Sequence, residues 1–152
     1  GGAAVGAADG SLATGAMISI NAFSTLGLPD HLHRTGKVRY EVTFEKVGPC
    51  PQVGWATPAF EVRPGVAHSF GVGDLADSWA VDGVRKVRWH NGRIPWRAPR
   101  WSSGDVIGVA ADLDAGQLWC GHNGDWALCF DAQSGRSEAE VAAAAATGAA
   151  VS

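Results

Sequence analysis

Histidine and carboxylate residues offer the first candidates for chemistry. His90 and His122 each precede an Asn-Gly pair, and either could work with Asp82, Asp105 or Asp112 in acid–base catalysis. No Gly-x-Ser-x-Gly elbow, reactive-cysteine context or glutamate pair accompanies them, so turn geometry accounts for both His-Asn-Gly triplets. The run Asp112-Leu113-Asp114-Ala115-Gly116 opens like a calcium loop, but its twelfth position, where a glutamate should close the site, holds Asn123. Gly71-Val72-Gly73-Asp74 opens like a phosphate-cradling loop and lacks the helix N-terminus such a loop needs, which makes it a turn. Cys50, Cys120 and Cys129 include no Cys-x-x-Cys spacing for zinc. These readings lead to the expectation of no catalytic residue, no metal and no cofactor.

The aromatic and basic residues point elsewhere. Of seven tryptophans, Trp55, Trp119 and Trp126 fall in strand-like stretches, and Trp79 and Trp89 lie near strand ends. Trp96 and Trp101 stand in a Pro/Arg-rich stretch, either exposed as contact anchors or tucked beneath it as a small apolar cluster. The most basic stretch, Arg85 to Arg100, is interleaved with Trp89, Trp96 and Trp101. The net charge of -3 gives no bulk basic field, so neither nucleic acid nor an anionic membrane surface is the expected partner. No apolar run approaches the roughly 20 residues needed to cross a bilayer, so no membrane insertion is expected. An odd cysteine count leads to the expectation of a reducing, intracellular setting, the cytoplasm first.

The elements that must position these residues follow a period of two. Val38, Tyr40, Val42 and Phe44 share one face, while Arg39, Glu41, Thr43 and Glu45 share the other, the pattern of a half-buried strand. Gly48-Pro49-Cys50-Pro51 turns the chain, and a second strand covers residues 52–56. A loop-rich stretch spans residues 58–73. Residues 78–81 read as a strand ending at Asp82-Gly83, with residues 84–89 as its hairpin partner, and the stretch holding Pro95 and Pro99 reads as loop. The mostly apolar run 105–113 has the pattern of a central strand covered on both faces. Residues 117–122, the Asn123-Gly124 turn and residues 125–130 complete a meander, with Trp126, Leu128 and Phe130 on one face. Many short strands with frequent turns and no core helix give an all-β sandwich or barrel over residues 16–132. Residues 1–15 read as a Gly/Ala-rich linker. Residues 133–152 read as an alanine-rich tail with one short helix signal, Ser137 followed by Glu140 ahead of residues 141–146.

In chain order these pieces resemble the SPRY domain family. Gly36-Lys37-Val38-Arg39-Tyr40-Glu41-Val42 is similar to its opening strand and Gln52-Val53-Gly54-Trp55-Ala56 to its second. Gly71-Val72-Gly73-Asp74, Ser78-Trp79-Ala80-Val81-Asp82-Gly83 and Trp89-His90-Asn91-Gly92 resemble its middle. Gly104-Asp105-Val106-Ile107-Gly108, Asp112-Leu113-Asp114, Asn123-Gly124 and Ala127-Leu128-Cys129-Phe130 resemble its later strands. The likeness is greatest to the SPRY domains of ryanodine receptors and large RING-type ubiquitin ligases, with similar domains in histone-methylation complexes and cilia.

The resemblance implies a bent antiparallel two-sheet β-sandwich of jelly-roll type. It would be non-catalytic and free of cofactor, and would bind a protein or peptide segment through loops at one edge. It carries Gln52, Asp74 and Asp82 over as candidate contacts. Arg85, Trp96, Arg97 and Arg100 join them, because exposed Arg and Trp are the commonest interface anchors. After Phe130 the family's usual closing apolar strands are not legible. An edge left so would be covered by residues 17–26 or by a partner, and the chain is expected to act within a larger protein or assembly. A lectin-like sugar binder, stacking Trp96 or Trp101 on a sugar ring, is the alternative.

Overall fold

A computed structural model describes residues 27, 32–60 and 71–132 of the chain. The linker at 1–15, the edge-covering segment at 17–26, part of the 58–73 loop and the tail at 133–152 lie outside these residues, wholly or, for the loop, between 61 and 70.

Two four-stranded antiparallel sheets form among the described residues. Strands β1 (Lys37–Thr43), β6 (Val106–Asp112), β7 (Gln117–His122) and β8 (Asp125–Asp131) make the first sheet in the order β1-β6-β7-β8. Strands β2 (Val53–Ala56), β3 (Ser78–Asp82), β4 (Val87–Trp89) and β5 (Arg93–Pro95) make the second in chain order. The all-β class is the one expected from the alternation, and the two-sheet sandwich is the form the resemblance implied.

Cross-strand register sorts the first sheet's residues into two faces. Tyr40 pairs with Val109 and Val42 with Ile107, while Val109 pairs with Cys120. These inner-face residues meet the second sheet, and Val81, Trp96, Trp101, Ile107, Cys120 and Cys129 form one buried core cluster. Tyr40 ties the layers together. Its ring stands edge-on to Trp55 at 5.1 Å, and its hydroxyl donates a 2.6 Å hydrogen bond to the Gly54 carbonyl. Burial pushes the Tyr40 phenol well above its ordinary pKa.

The outer face of the first sheet explains why β6 is apolar throughout. Trp126 lies across it, over Gly121 and Gly108, where an added Cβ would come within 2.9 Å and 2.6 Å of the indole. Glycine at these two positions lets the ring lie flat on the backbone, so β6 is covered on both sides although Trp126 itself is 39% exposed.

Three local features depart from the sequence reading. Trp126, Leu128 and Phe130 do not all share a face. A bulge pairs Leu128 with Trp119 but Phe130 with Leu118, leaving Cys129 as the extra residue. Phe130 is thereby turned inward onto the core cluster. The β3–β4 connection is also longer than an Asp-Gly turn, and pairing resumes only at Val87. The buried Asp82 carboxylate accepts hydrogen bonds from the amides of Val84 (2.9 Å) and Arg85 (2.8 Å), holding a four-residue turn that Lys86 closes at φ 55°. Finally, residues 93–95 form β5 instead of loop. As an edge strand among the described residues, it tolerates Pro95, which has no N–H to give to a ladder.

The Trp126 arrangement is testable. Gly108→Ala is expected to cost about 1–3 kcal/mol by lifting the indole off the sheet. In a Trp126→Ala background the same substitution is expected to cost little, a non-additivity read from paired denaturant melts. Full additivity would show that the ring does not rest on Gly108.

Candidate functional site

Residues 71–101 build β3, β4, β5 and their connecting loops in the second sheet, and the seven residues singled out from sequence take different roles in and beside them. Gln52 and Asp74 are half-buried and bind each other. The Gln52 amide nitrogen donates to the Val72 carbonyl and to Asp74 Oδ1, both at 3.0 Å, while Asp74 Oδ2 accepts from the Gly71 amide at 2.7 Å. The glycine loop is further pinned by Gly73, whose amide donates to Ser78 Oγ at 2.8 Å and whose carbonyl accepts from Asn91. Gly73 has φ 93° and its Cα lies so close to Trp89 that an added Cβ would sit 2.6 Å from the tryptophan Cβ. The loop therefore lies flat on the outer face of the second sheet.

Asp82 has no exposed surface. Besides capping its turn it accepts from Arg85 Nε at 2.5 Å, and the Arg85 guanidinium lies 4.9 Å over the Trp89 ring. As a direct contact for a partner Asp82 is thus corrected: its carboxylate is consumed in holding the turn. Trp96 needs the same correction. It is 7% exposed and stands edge-on to the fully buried Trp101 at 6.3 Å, inside the core. The reason is register, because the chain continues past β5 with its alternation intact. Ile94, Trp96 and Ala98 turn inward, and Arg93, Pro95, Arg97 and Pro99 turn outward. The Trp96 amide donates to the Lys86 carbonyl at 2.9 Å and the Trp101 amide to the Gly83 carbonyl at 3.4 Å, so residues 93–101 run back along the β3–β4 turn.

Arg97 and Arg100 are exposed, as an interface reading requires. Arg93, exposed on the same row as Arg97, was not singled out from sequence. The signal was present in Arg93-Ile94-Pro95-Trp96-Arg97-Ala98-Pro99, where charge and proline alternate with apolar residues. The two prolines masked it by suggesting irregular loop.

The histidines act as braces. His90 stacks on Trp79 at 4.6 Å, and its Nδ1 lies 3.0 Å from the Ser78 carbonyl, which assigns the proton to that nitrogen. His122 Nε2 lies 2.8 Å from Asp105 Oδ2. Asp105 also accepts from the Asn123 amide nitrogen at 2.9 Å and the Ser102 backbone amide at 2.8 Å, which joins the 102–105 turn to the β7–β8 turn. These bonds, from Asn123 first, then His122 and Ser102, hold the Asp105 pKa down to about 2. Among the described residues, no group of three or more His, Cys, Asp or Glu is placed to hold a metal. No described helix is long and apolar enough to cross a membrane.

Two outcomes test this division of roles. The Asp105 pKa lies below its ordinary value of 3.8, so its stabilisation is present above about pH 4 and disappears as pH falls toward 2. Melting temperature followed from pH 5 to pH 2 is expected to fall less steeply in Asp105→Asn than in the unaltered domain, and parallel curves would refute the assignment. Asp82→Ala is expected to cost about 2–4 kcal/mol by uncapping the turn and stranding Arg85. Arg97→Ala is expected to stay within about 0.5 kcal/mol of the parent, and the reverse ranking in denaturant melts would overturn the separation of scaffold from surface.

Comparison with known proteins agrees with this architecture. Residues 37–143 match the family model described as the SPRY domain. That match runs past the last described strand, into the stretch read from sequence as a tail. The chain is also similar to the E3 ubiquitin-protein ligase RKP of Arabidopsis thaliana, 39% identical over 89 residues, which is 59% of this chain and 6% of that protein. The chain therefore spans a small fraction of the curated relative's length. A family match over most of the chain, the two four-stranded antiparallel sheets and the ordered strand motifs together show that this chain belongs to the SPRY domain family, a family of protein-interaction modules.

Proposed function

We propose that this domain is a non-catalytic module that holds a segment of another protein at the β4–β5 edge, with Arg97 and Arg100 as direct contacts. The observation that carries this reading is the contrast along residues 93–101, where a backbone held by the β5 ladder and by the Trp96 and Trp101 amides presents arginines outward while its tryptophans are spent on the core. A backbone already held in place suits a recognition edge, because less backbone entropy is then lost on binding. Gln52, Asp74, Asp82, Arg85 and Trp96 serve the same edge indirectly by fixing the glycine loop, the β3–β4 turn and the arginine row.

The similarity to a ubiquitin ligase supports a place within a larger protein, where a module of this kind selects what is brought to catalytic machinery located elsewhere. The sugar-binding alternative loses its basis, since stacking on a sugar ring requires an open tryptophan face and both Trp96 and Trp101 are buried.

Cross-linking mass spectrometry on the immobilised domain tests the proposal. Comparison covers the parent, an Arg97→Ala/Arg100→Ala variant and Arg39→Ala, an exposed position on the outer face of the other sheet. A protein partner retained by the parent and by Arg39→Ala, but lost from the double variant, is the expected result. Capture of the same proteins by all three would move the binding surface elsewhere, and a glycan-array signal dependent on Arg97 would replace the protein partner with a sugar.

A further inference from the structure

We infer that the partner segment is acidic and extended, with carboxylates spaced to meet Arg93 and Arg97, and that it is held by side chains instead of joining the sheet as an added strand. This inference deepens the edge-binding reading above and rests on it.

Charge supplies the first observation. Residues 83–104 contain Arg85, Lys86, Arg88, Arg93, Arg97 and Arg100, six of the chain's 12 Lys and Arg, and none of its 15 Asp and Glu. The two carboxylates that flank the stretch are engaged, Asp82 with Arg85 and Asp105 with His122, Asn123 and the Ser102 amide. Among the described residues, no ion pair involves Lys86, Arg93, Arg97 or Arg100. Arg88 is buried and Arg85 is paired, so Lys86, Arg93, Arg97 and Arg100 carry the outward positive charge of this stretch in a chain of net charge -3.

Backbone chemistry supplies the second. An open strand edge ordinarily invites a partner strand through its free N–H and C=O groups. Pro95 and Pro99 have no N–H, and both lie on the exposed row of this edge. Strand addition is therefore weakened at two donors of this row, which favours recognition by the guanidinium groups, since these bind carboxylates in paired hydrogen bonds. Arg93 and Arg97 are four residues apart on one face of an extended chain, roughly 13 Å at about 3.3 Å per residue. A partner running extended along the edge would meet them with acidic residues at the same spacing.

The aromatic residues separate this partner from nucleic acid. Binding to single strands needs exposed rings on which bases stack. Trp96 and Trp101 are in the core, Trp89 is capped by Arg85, and among the described residues the exposed large apolar ones are Leu32 and Trp126, with Trp126 on the other sheet. The edge offers positive charge without a stacking platform.

Fluorescence anisotropy with the whole 152-residue chain tests the inference. The probes are two labelled twelve-residue Gly/Ser peptides, one carrying aspartates four residues apart and the other asparagines at the same positions, together with a labelled oligouridylate. The aspartate peptide is expected to bind at least about tenfold more tightly than the asparagine peptide, and more weakly as salt rises. R93E/R97E is expected to abolish the preference, and R93K/R97K to retain part of it, with unchanged melting temperatures. R93Q/R97Q replaces the reversal should that variant melt early. Equal affinity for the two peptides, indifference to the charge change, or tighter binding of the oligouridylate would overturn the inference. A cross-linked partner that requires Arg97, found alongside equal affinity for the two peptides, would overturn the acidic assignment alone and leave the edge-binding reading standing.

Discussion

The contact between Trp101 and Gly83 organises the side of the molecule on which its function is proposed to lie. Trp101 is 1% exposed, and its indole lies so close to Gly83 that an added Cβ would come within 2.2 Å of the ring. No other residue type leaves room there. With the large indole seated on bare backbone, residues 93–101 have to return along the β3–β4 turn, and Trp96 follows into the core beside Trp101. Phe44, 5.8 Å from Trp101, extends the contact to the end of β1 in the other sheet. One aromatic anchor thereby links both layers, fixes the last stretch of the second sheet and sets which residues face outward.

The same economy of close approach recurs on the opposite side. Trp126 covers the first sheet only because Gly108 and Gly121 allow it to lie against the backbone. In both places a large aromatic ring and a glycine act as a pair, and neither residue has its structural role without the other. This also accounts for the abundance of tryptophan in a domain that leaves little of it exposed: each ring buries a large apolar area in a sandwich built from short strands.

Polar residues of the turns divide into those that hold loops and those that stay exposed at the edge where binding is proposed. Gln52 with Asp74, Asp82 with Arg85, and Asp105 with His122 and Asn123 each satisfy one another and nearby amides. A buried or half-buried carboxylate is tolerated when its lone pairs are used in this way. The consequence is a set of turns whose shapes are fixed by internal hydrogen bonds. The arginines of the 93–100 row project from that support without acidic neighbours in their own stretch of sequence.

The sequence by itself determined the strands, because alternation of apolar and polar residues is a local property of an extended chain with one buried face. Val38, Tyr40 and Val42 could be assigned inward in this way, and the Asn123-Gly124 turn could be placed because both residues accept positive φ. The ordered motifs likewise pointed to the family and its two sheets. Tertiary structure alone decided where that alternation slips and which side chains are spent internally. Phe130 faces inward because Cys129 bulges from the ladder, a displacement invisible to a pattern that assumes an unbroken period. Trp96 had two equal readings until register with the β3–β4 turn placed it inside, since proline-rich sequence does not reveal an edge strand. Asp82 looked like a contact because its type and turn position fit one. Its burial depends on Arg85 and the Val84 and Arg85 amides, whose geometry exists only once the turn has closed.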